Sequence, residues 1–207
     1  MKTLVTRIVR KGKSALNDIR HGGYTGGIHK TPFAHLGAHH TVSTNHALIP
    51  ILLEPVLTKG DVFVDVGCGR GRVLNWVVDD GRASAVFGIE LDKRFAAEVA
   101  RRFLNNHSVT VVAGDALSSL PDSGTVFYLW NPFDSDVMER FKETLISKYR
   151  ALGTLSRVRV VYHHCLHADV WTTDARCCAT PVSLPAGVAE EAILITFPGA
   201  NPASAMP

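Results

Sequence analysis

The chain lacks what would place it in a membrane or in a disulfide framework. Its 207 residues hold no apolar run long enough to cross a bilayer. The basic residues at its start are not followed by the apolar core of a secretory signal. It has only four cysteines, Cys68, Cys165, Cys177 and Cys178, and none stands in C-x-x-C spacing. The adjacent pair Cys177–Cys178 has poor geometry for a mutual disulfide. Reduced thiols in a cytoplasmic protein are therefore expected. Internal repeats are absent too, which excludes a solenoid or propeller.

What is present suits one globular domain with a sizeable core: 46% hydrophobic residues in a chain of this length. The net charge of +3 hides an asymmetry. Residues 1–30 carry seven Lys/Arg against the single acid Asp18, while the remainder holds 15 basic and 18 acidic residues. A basic arm of this kind suits nucleic acid, an acidic partner, a membrane surface or an organelle-targeting role, and it is equally the mark of a solvated helix. Nucleic acid is not the favoured partner.

Along the chain, residues 1–20 have the spacing of a short amphipathic helix through Leu4, Ile8, Leu16 and Ile19. Residues 21–45, rich in Gly, His and Thr, read as a long loop, and such loops often serve as lids or binding segments. Tyr24, Phe33 and Thr44–His46 are its lid candidates. The loop also gathers His35, His39, His40 and His46. A helix interrupted by Pro50 and Pro55 occupies 46–58. Strands then alternate with helices. Strands fall at 62–66, 85–90, 109–113, 125–130 and 158–163, with helices after residue 72, at 92–105 and at 135–152. Two further strands, 177–182 and 190–197, have no helix-length insert between them and so form a hairpin. The pattern predicts an α/β fold: a seven-stranded, mostly parallel sheet with an antiparallel last strand and helices on both faces. An N-terminal arm and lid-like loop (1–45) precede the main domain (46–197), and a flexible tail (198–207) follows it.

The richest stretch is VFVDVGCGRGR, residues 62–72. A β-branched strand runs through Asp65 into Gly67, Gly69 and Gly71, and a helical pattern with Val73, Leu74, Val77 and Val78 follows. Strand, glycine turn, helix is how an open α/β sheet builds a nucleotide site. The turn reads G-x-G-x-G, one residue shorter than the dinucleotide fingerprint G-x-G-x-x-G. Glu90 closes the second strand 25 positions after Asp65, where an acid that accepts from ribose hydroxyls is expected. The third strand runs into GDAL, 114–117, and the fourth ends in TVFYLWNPFD, 125–134. The fifth ends in Tyr162-His163-His164-Cys165, with His167 beyond. All these ends face the crevice at the carboxyl edge of such a sheet.

D-x-G-x-G-x-G, with an acid closing the next strand and GDAL after the third, resembles the class I S-adenosylmethionine-dependent methyltransferases. GCGRGRVL, GIEL and YLWNPF resemble, within that class, small bacterial methyltransferase-like proteins. The resemblance covers about residues 46–197 and implies a set of roles. Asp65, Gly67, Cys68, Gly69 and Gly71 hold the methionine part of S-adenosyl-L-methionine. Glu90, with Leu91 beside it, binds the ribose. Asp115 and Ala116 contact the adenine. Asn131, Pro132 and Phe133 form a catalytic loop, similar with one proline fewer to the Asn/Asp-Pro-Pro-aromatic loop of methyltransferases that act on nitrogen. There the Asn side chain and a loop carbonyl accept from the target amine, and Asn131 also borders the cofactor. The implied product is S-adenosyl-L-homocysteine, and the implied acceptor is a small molecule or protein, nitrogen slightly favoured. No metal is implied, although a His163–His167 metal pair and a general base at His163 or His164 were weighed against a structural histidine. Two other readings remain open at this point. One is a cofactor-binding interaction or regulatory protein without turnover, and the other is a nicotinamide-dependent oxidoreductase.

Overall fold

A computed structural model describes Asp18, Gly23 and residues 25–199. The expected helix over 1–20, apart from Asp18, the lid candidate Tyr24 and the tail beyond 199 lie outside the described residues. Seven strands form one sheet: β1 Val62–Val66, β2 Ala85–Glu90, β3 Val109–Ala113, β4 Val126–Trp130, β5 Arg159–His163, β6 Cys178–Pro181 and β7 Ala192–Thr196. Their order is β3-β2-β1-β4-β5-β7-β6. The central pairs are parallel, and β7 runs antiparallel to both β5 and β6. The hairpin expected at the C-terminus is thus present, and the antiparallel strand sits one place in from the edge, because β6 folds back outside it. Chain order reverses between β1 and β4, so the carboxyl ends of these two strands open a crevice between them.

Alternation along the strands builds two cores. Val64, Val66, Phe127, Leu129, Val160 and Tyr162 point to one face. There they meet Met138, Phe141, Leu145 and Tyr149 of α5, Ser135–Ala151, and Trp171 of α6, Asp169–Thr172. Phe63, Val126, Tyr128 and Val161 point to the other face, beneath α1 (Ile49–Leu53), α2 (Arg72–Asp80) and Val99 of α3 (Lys93–Arg102). The continuous apolar strands follow from burial on both faces. Helix starts are marked by the expected carboxylates. Asp92 caps α3, Asp134 caps α5, and Asp115 caps the short α4, Ala116–Ser119. Pro50 falls in the first turn of α1, where proline costs no hydrogen bond. The helices α4 and α6 are only four residues each, too short to leave a periodic signal.

The long N-terminal loop is more ordered than its composition suggests. Ile28–His29 pairs antiparallel with Thr41–Val42, and a 3-10 turn at Ala34–Leu36 lies between them. Ala38 bridges Phe133, so this ribbon is stitched directly to the end of β4. No helix among the described residues is long and apolar enough to cross a membrane.

Candidate active site

The glycine turn joins β1 to α2 at the reversal point. The N–H groups of Gly67 and Cys68 both donate to the Ile89 carbonyl on β2, at 2.9 and 3.0 Å, which locks the turn against the neighbouring strand. Gly67 and Gly69 have φ of +75° and +52°, a region that side chains avoid. A Cβ on Gly69 would stand 2.6 Å from Thr41 Cγ2, and one on Gly67 would stand 3.2 Å from Pro132 Cβ. Glycine is therefore needed twice: for the backbone angle, and because the ribbon and the Asn131–Phe133 loop both close over the turn.

Two carboxylates flank it. Glu90 accepts from Gly69 N–H at 2.7 Å through one oxygen and from Asp92 N–H at 2.8 Å through the other. Each oxygen keeps a second lone pair, which suits a pair of vicinal hydroxyls. Burial pushes its pKa up, only partly offset by these backbone donors. Asp65 is 3% exposed. Burial, with the charge of Glu90 added, raises its pKa to about 8. A buried carboxylate held this way is poised for a cation such as an α-ammonium group.

A crevice brings together Gly67, Glu90, Leu91, Asp115, Ala116, Pro132 and Phe133. A smaller cavity beside it is lined by Asp65, Gly67, Cys68, Gly69 and Tyr128. Asn131 lies on a third, with Trp130, His39, His40 and His164. Gly71 borders none of the three. It starts α2 in a left-handed conformation, with its N–H on the Cys68 carbonyl at 2.8 Å. The Cys68 thiol belongs to the core cluster beneath the turn, and burial pushes its pKa well up, so it is held neutral. Asp115 lines the crevice while its side chain caps α4 through Leu117 N–H at 3.0 Å.

Asn131 departs from the free side chain that the sequence suggested. It is 3% exposed, with φ of +37°, and its side chain is bonded at both ends. The Tyr162 hydroxyl donates to Oδ1 at 2.7 Å, and Nδ2 lies 3.0 Å from His39 Nδ1. Phe133 turns inward, its ring 5.5 Å from that of Phe141. The histidines after β5 separate. His163 is fully buried, with Nδ1 3.0 Å from the Tyr128 hydroxyl, and burial lowers its pKa to about 4. It faces the sheet core and lines none of these cavities. His164, held at φ +53°, stacks on Trp130 at 4.7 Å and 21° and lines the third cavity.

At the smaller cavity, which Arg72 and Thr44 line, sits a polar clasp that the sequence did not reveal. Arg72 donates to both oxygens of Asp18, at 3.2 and 2.7 Å, to Thr25 Oγ1 at 3.0 Å and to the Thr44 carbonyl at 2.9 Å. Asp18 also accepts from the Thr25 hydroxyl at 2.6 Å, and His46 Nε2 lies 2.8 Å away. Burial alone would raise the Asp18 pKa, but these hydrogen bonds outweigh it and hold the carboxylate below its ordinary range. Thr44 also meets the Tyr128 hydroxyl at 2.7 Å. Of the lid candidates, Phe33 lines the crevice and Thr44 the smaller cavity beside Asp65. Lys30, Thr41 and Val42 line the site without a motif to flag them.

Residues 63–152 match the family model described as a methyltransferase domain. The match covers less than half of the chain. Among solved structures, the fold is shared with an RNA methyltransferase from Salinibacter ruber in complex with S-adenosyl-L-homocysteine. That pair is 20% identical, with a TM-score of 0.59, and covers 76% of this chain and 95% of that one. A Streptococcus pneumoniae tRNA (m1A22) methyltransferase in complex with S-adenosyl-L-methionine gives 15% identity and a TM-score of 0.57, over 76% and 73%. The pyocyanin biosynthetic protein PhzM gives 18% identity and a TM-score of 0.52, over 72% and 53%. No curated protein matches the sequence. The fold is that of the class I S-adenosylmethionine-dependent methyltransferases, and the matched stretch spans the glycine turn, Glu90, Asp115 and the Asn131–Phe133 loop. The cofactor of this class is S-adenosyl-L-methionine, and the residues fit it: a glycine cradle, a buried acid for the ammonium and a two-oxygen acceptor for the ribose.

Proposed function

We propose that the protein transfers the methyl group of S-adenosyl-L-methionine to a ring nitrogen of a flat heterocycle, free or carried on a larger molecule. The single observation behind this reading is the convergence of Gly67, Glu90 and Asp115 on one crevice, with Asp65 and Gly69 on the small cavity that shares Gly67 with it and a cavity walled by stacked aromatic rings alongside. In this reading Asp65 takes the methionine ammonium, Glu90 accepts from the ribose hydroxyls, and Asp115 and Ala116 border the adenine. Pro132 and Phe133 shape the passage between cofactor and acceptor. The cofactor supplies an electrophilic methyl on a sulfonium. The protein contributes alignment and exclusion of water. The Trp130–His164 stack offers a planar wall on the acceptor side, which favours a ring over an aliphatic amine. Several structural neighbours are described as acting on RNA, and a base within RNA is one form of such a ring.

The test is transfer of a radiolabelled methyl group from S-adenosyl-L-methionine to total cellular RNA, free heterocyclic amines and aliphatic amines. Label in the first two and not in the third supports the reading. Label confined to aliphatic amines, or to protein, overturns it.

A further inference from the structure

The geometry points to His39 as the base that takes the acceptor's proton during methyl transfer. This assignment rests on the reading above. His39 comes from the N-terminal loop, far from every motif, yet its backbone is tied directly to the loop after β4. Its N–H donates to the Pro132 carbonyl at 3.0 Å, and the preceding residue bridges Phe133. Asp134 N–H donates to the Gly37 carbonyl at 2.9 Å. The segment 37–39 thus runs as an extra strand along the catalytic loop. A Cβ on Gly37 would stand 2.6 Å from Asp134 Oδ2 and from Val137 Cγ2, so this approach leaves no room for a side chain.

The ring is oriented as a base requires. Nδ1 lies 2.9 Å from the Asn131 carbonyl oxygen. That carbonyl receives no backbone hydrogen bond among the described residues. Nδ1 also lies 3.0 Å from Asn131 Nδ2, a donor; the tautomer with the proton on Nδ1 serves the carbonyl instead of that amide, and it leaves the lone pair on Nε2. Nε2 makes no hydrogen bond among the described residues. The ring stands on the wall shared by the cofactor crevice and the aromatic cavity, where acceptor and methyl group must meet. Tyr162, by donating to Asn131 Oδ1, holds the left-handed Asn131 that aims this carbonyl. Asn131 and Tyr162 are accordingly positioning residues. The other histidines at the strand ends are spoken for: His163 is buried on Tyr128, and His164 lies flat on Trp130. The titratable groups around His39 are His40 beside it in the chain, His167 with its ring 6.1 Å away, His164 and Asp134 on the aromatic cavity, and Glu90, Asp92 and Asp115 across the crevice.

The step balances as follows. The acceptor is a ring N–H of the lactam type, whose proton passes to His39 Nε2 as the N–H electron pair becomes the nucleophile. That nitrogen attacks the methyl carbon, the N–C bond forms as the C–S bond breaks, and the C–S electron pair returns to sulfur as a neutral thioether. The imidazolium later gives its proton to water.

Imidazole nitrogen NMR on the protein saturated with S-adenosyl-L-homocysteine, with His39 assigned through His39→Gln, tests this directly at pH 8 to 8.5. The expected result is a neutral ring protonated on Nδ1. A ring protonated on Nε2, or one doubly protonated through pH 8, overturns the assignment. His39→Gln should also keep S-adenosyl-L-homocysteine affinity within about threefold. Its methyl transfer to the acceptor found above should drop by ~100-fold or more, with the loss greatest above neutral pH. Wild-type turnover in His39→Gln overturns the proposal. Failure of the wild-type protein to bind S-adenosyl-L-homocysteine sinks the methyltransferase reading instead, so the two failures are told apart.

Discussion

The floor and the roof of this site are built differently. The floor consists of strand ends: Asp65, the glycine turn, Glu90 and Asp115 all leave the carboxyl edge of one sheet, and apolar packing on two faces holds them. The roof is the segment 25–46, anchored also by Asp18. Polar contacts hold it: Arg72 to Asp18, Thr44 to Tyr128 and His39 to Asn131. The difference teaches where each half is vulnerable. A floor held by many dispersed contacts tolerates the loss of one polar group and answers in ligand affinity. A roof held by a few buried polar bonds answers in its own stability.

The largest effect should come from cutting the clasp. Arg72→Ala leaves Asp18, which is fully buried, without its bidentate cation, and should cost about 3–5 kcal/mol. Thermal unfolding measures the loss, and limited proteolysis should cut within 25–46 before the sheet is attacked. A loss under ~1 kcal/mol would mean that the roof is held by something other than this clasp.

Glu90→Ala should act on the floor without breaking it. Two hydroxyl contacts to a carboxylate are worth ~1.5–3 kcal/mol each at most. Affinity for S-adenosyl-L-homocysteine should therefore fall by ~100-fold by calorimetry, with a circular dichroism spectrum like that of the wild type.

Asp65→Asn sharpens the comparison, because affinity and stability should move in opposite directions. The folded-state pKa of about 8 lies above the ordinary value of 3.8. The stability linked to this proton is full below that ordinary value and is lost as pH rises through 8. At pH 7.5 the amide should thus stabilise the cofactor-free protein by ~2 kcal/mol, or about 4–8 °C in melting temperature. It should also weaken S-adenosyl-L-homocysteine binding by ~10-fold or more. In the wild type, binding of the ammonium expels the Asp65 proton, so affinity should climb by up to about tenfold per pH unit between pH 6 and 7.5. The slope should vanish in Asp65→Asn.

Tyr162→Phe is the mildest. It leaves the buried Asn131 Oδ1 without its donor and should cost ~1–2 kcal/mol. If the roof and floor meet through Asn131, methyl transfer should fall while cofactor affinity stays unchanged.

The floor was legible in the sequence because each of its parts is contiguous. Asp65 and the glycines occupy seven residues, Glu90 closes a strand, and GDAL and NPF follow strands of their own, so a one-dimensional pattern carries their placement. Ser135–Ala151 likewise announces itself by period and by the Asp134 cap. The roof was legible only as a suspect loop. Ile28–His29 and Thr41–Val42 are two-residue strands, too short to alternate, and Asp18 meets Arg72 across 54 positions. His39 stood among ten histidines with nothing in its neighbours to single it out. Asn131 was read as free because a sequence does not show that Tyr162 and His39 reach its two ends. Contacts between distant segments set these roles, and local propensity does not register them.

The central claim is that the crevice at the glycine turn is an S-adenosylmethionine site. Isothermal titration of the wild-type protein with S-adenosyl-L-homocysteine, run beside NADH under the same conditions, tests it most directly. The account predicts saturable one-to-one binding of S-adenosyl-L-homocysteine that is weakened by ~100-fold in Glu90→Ala, and no binding of NADH. Binding of NADH in its place, or S-adenosyl-L-homocysteine binding untouched by Glu90→Ala, would contradict it.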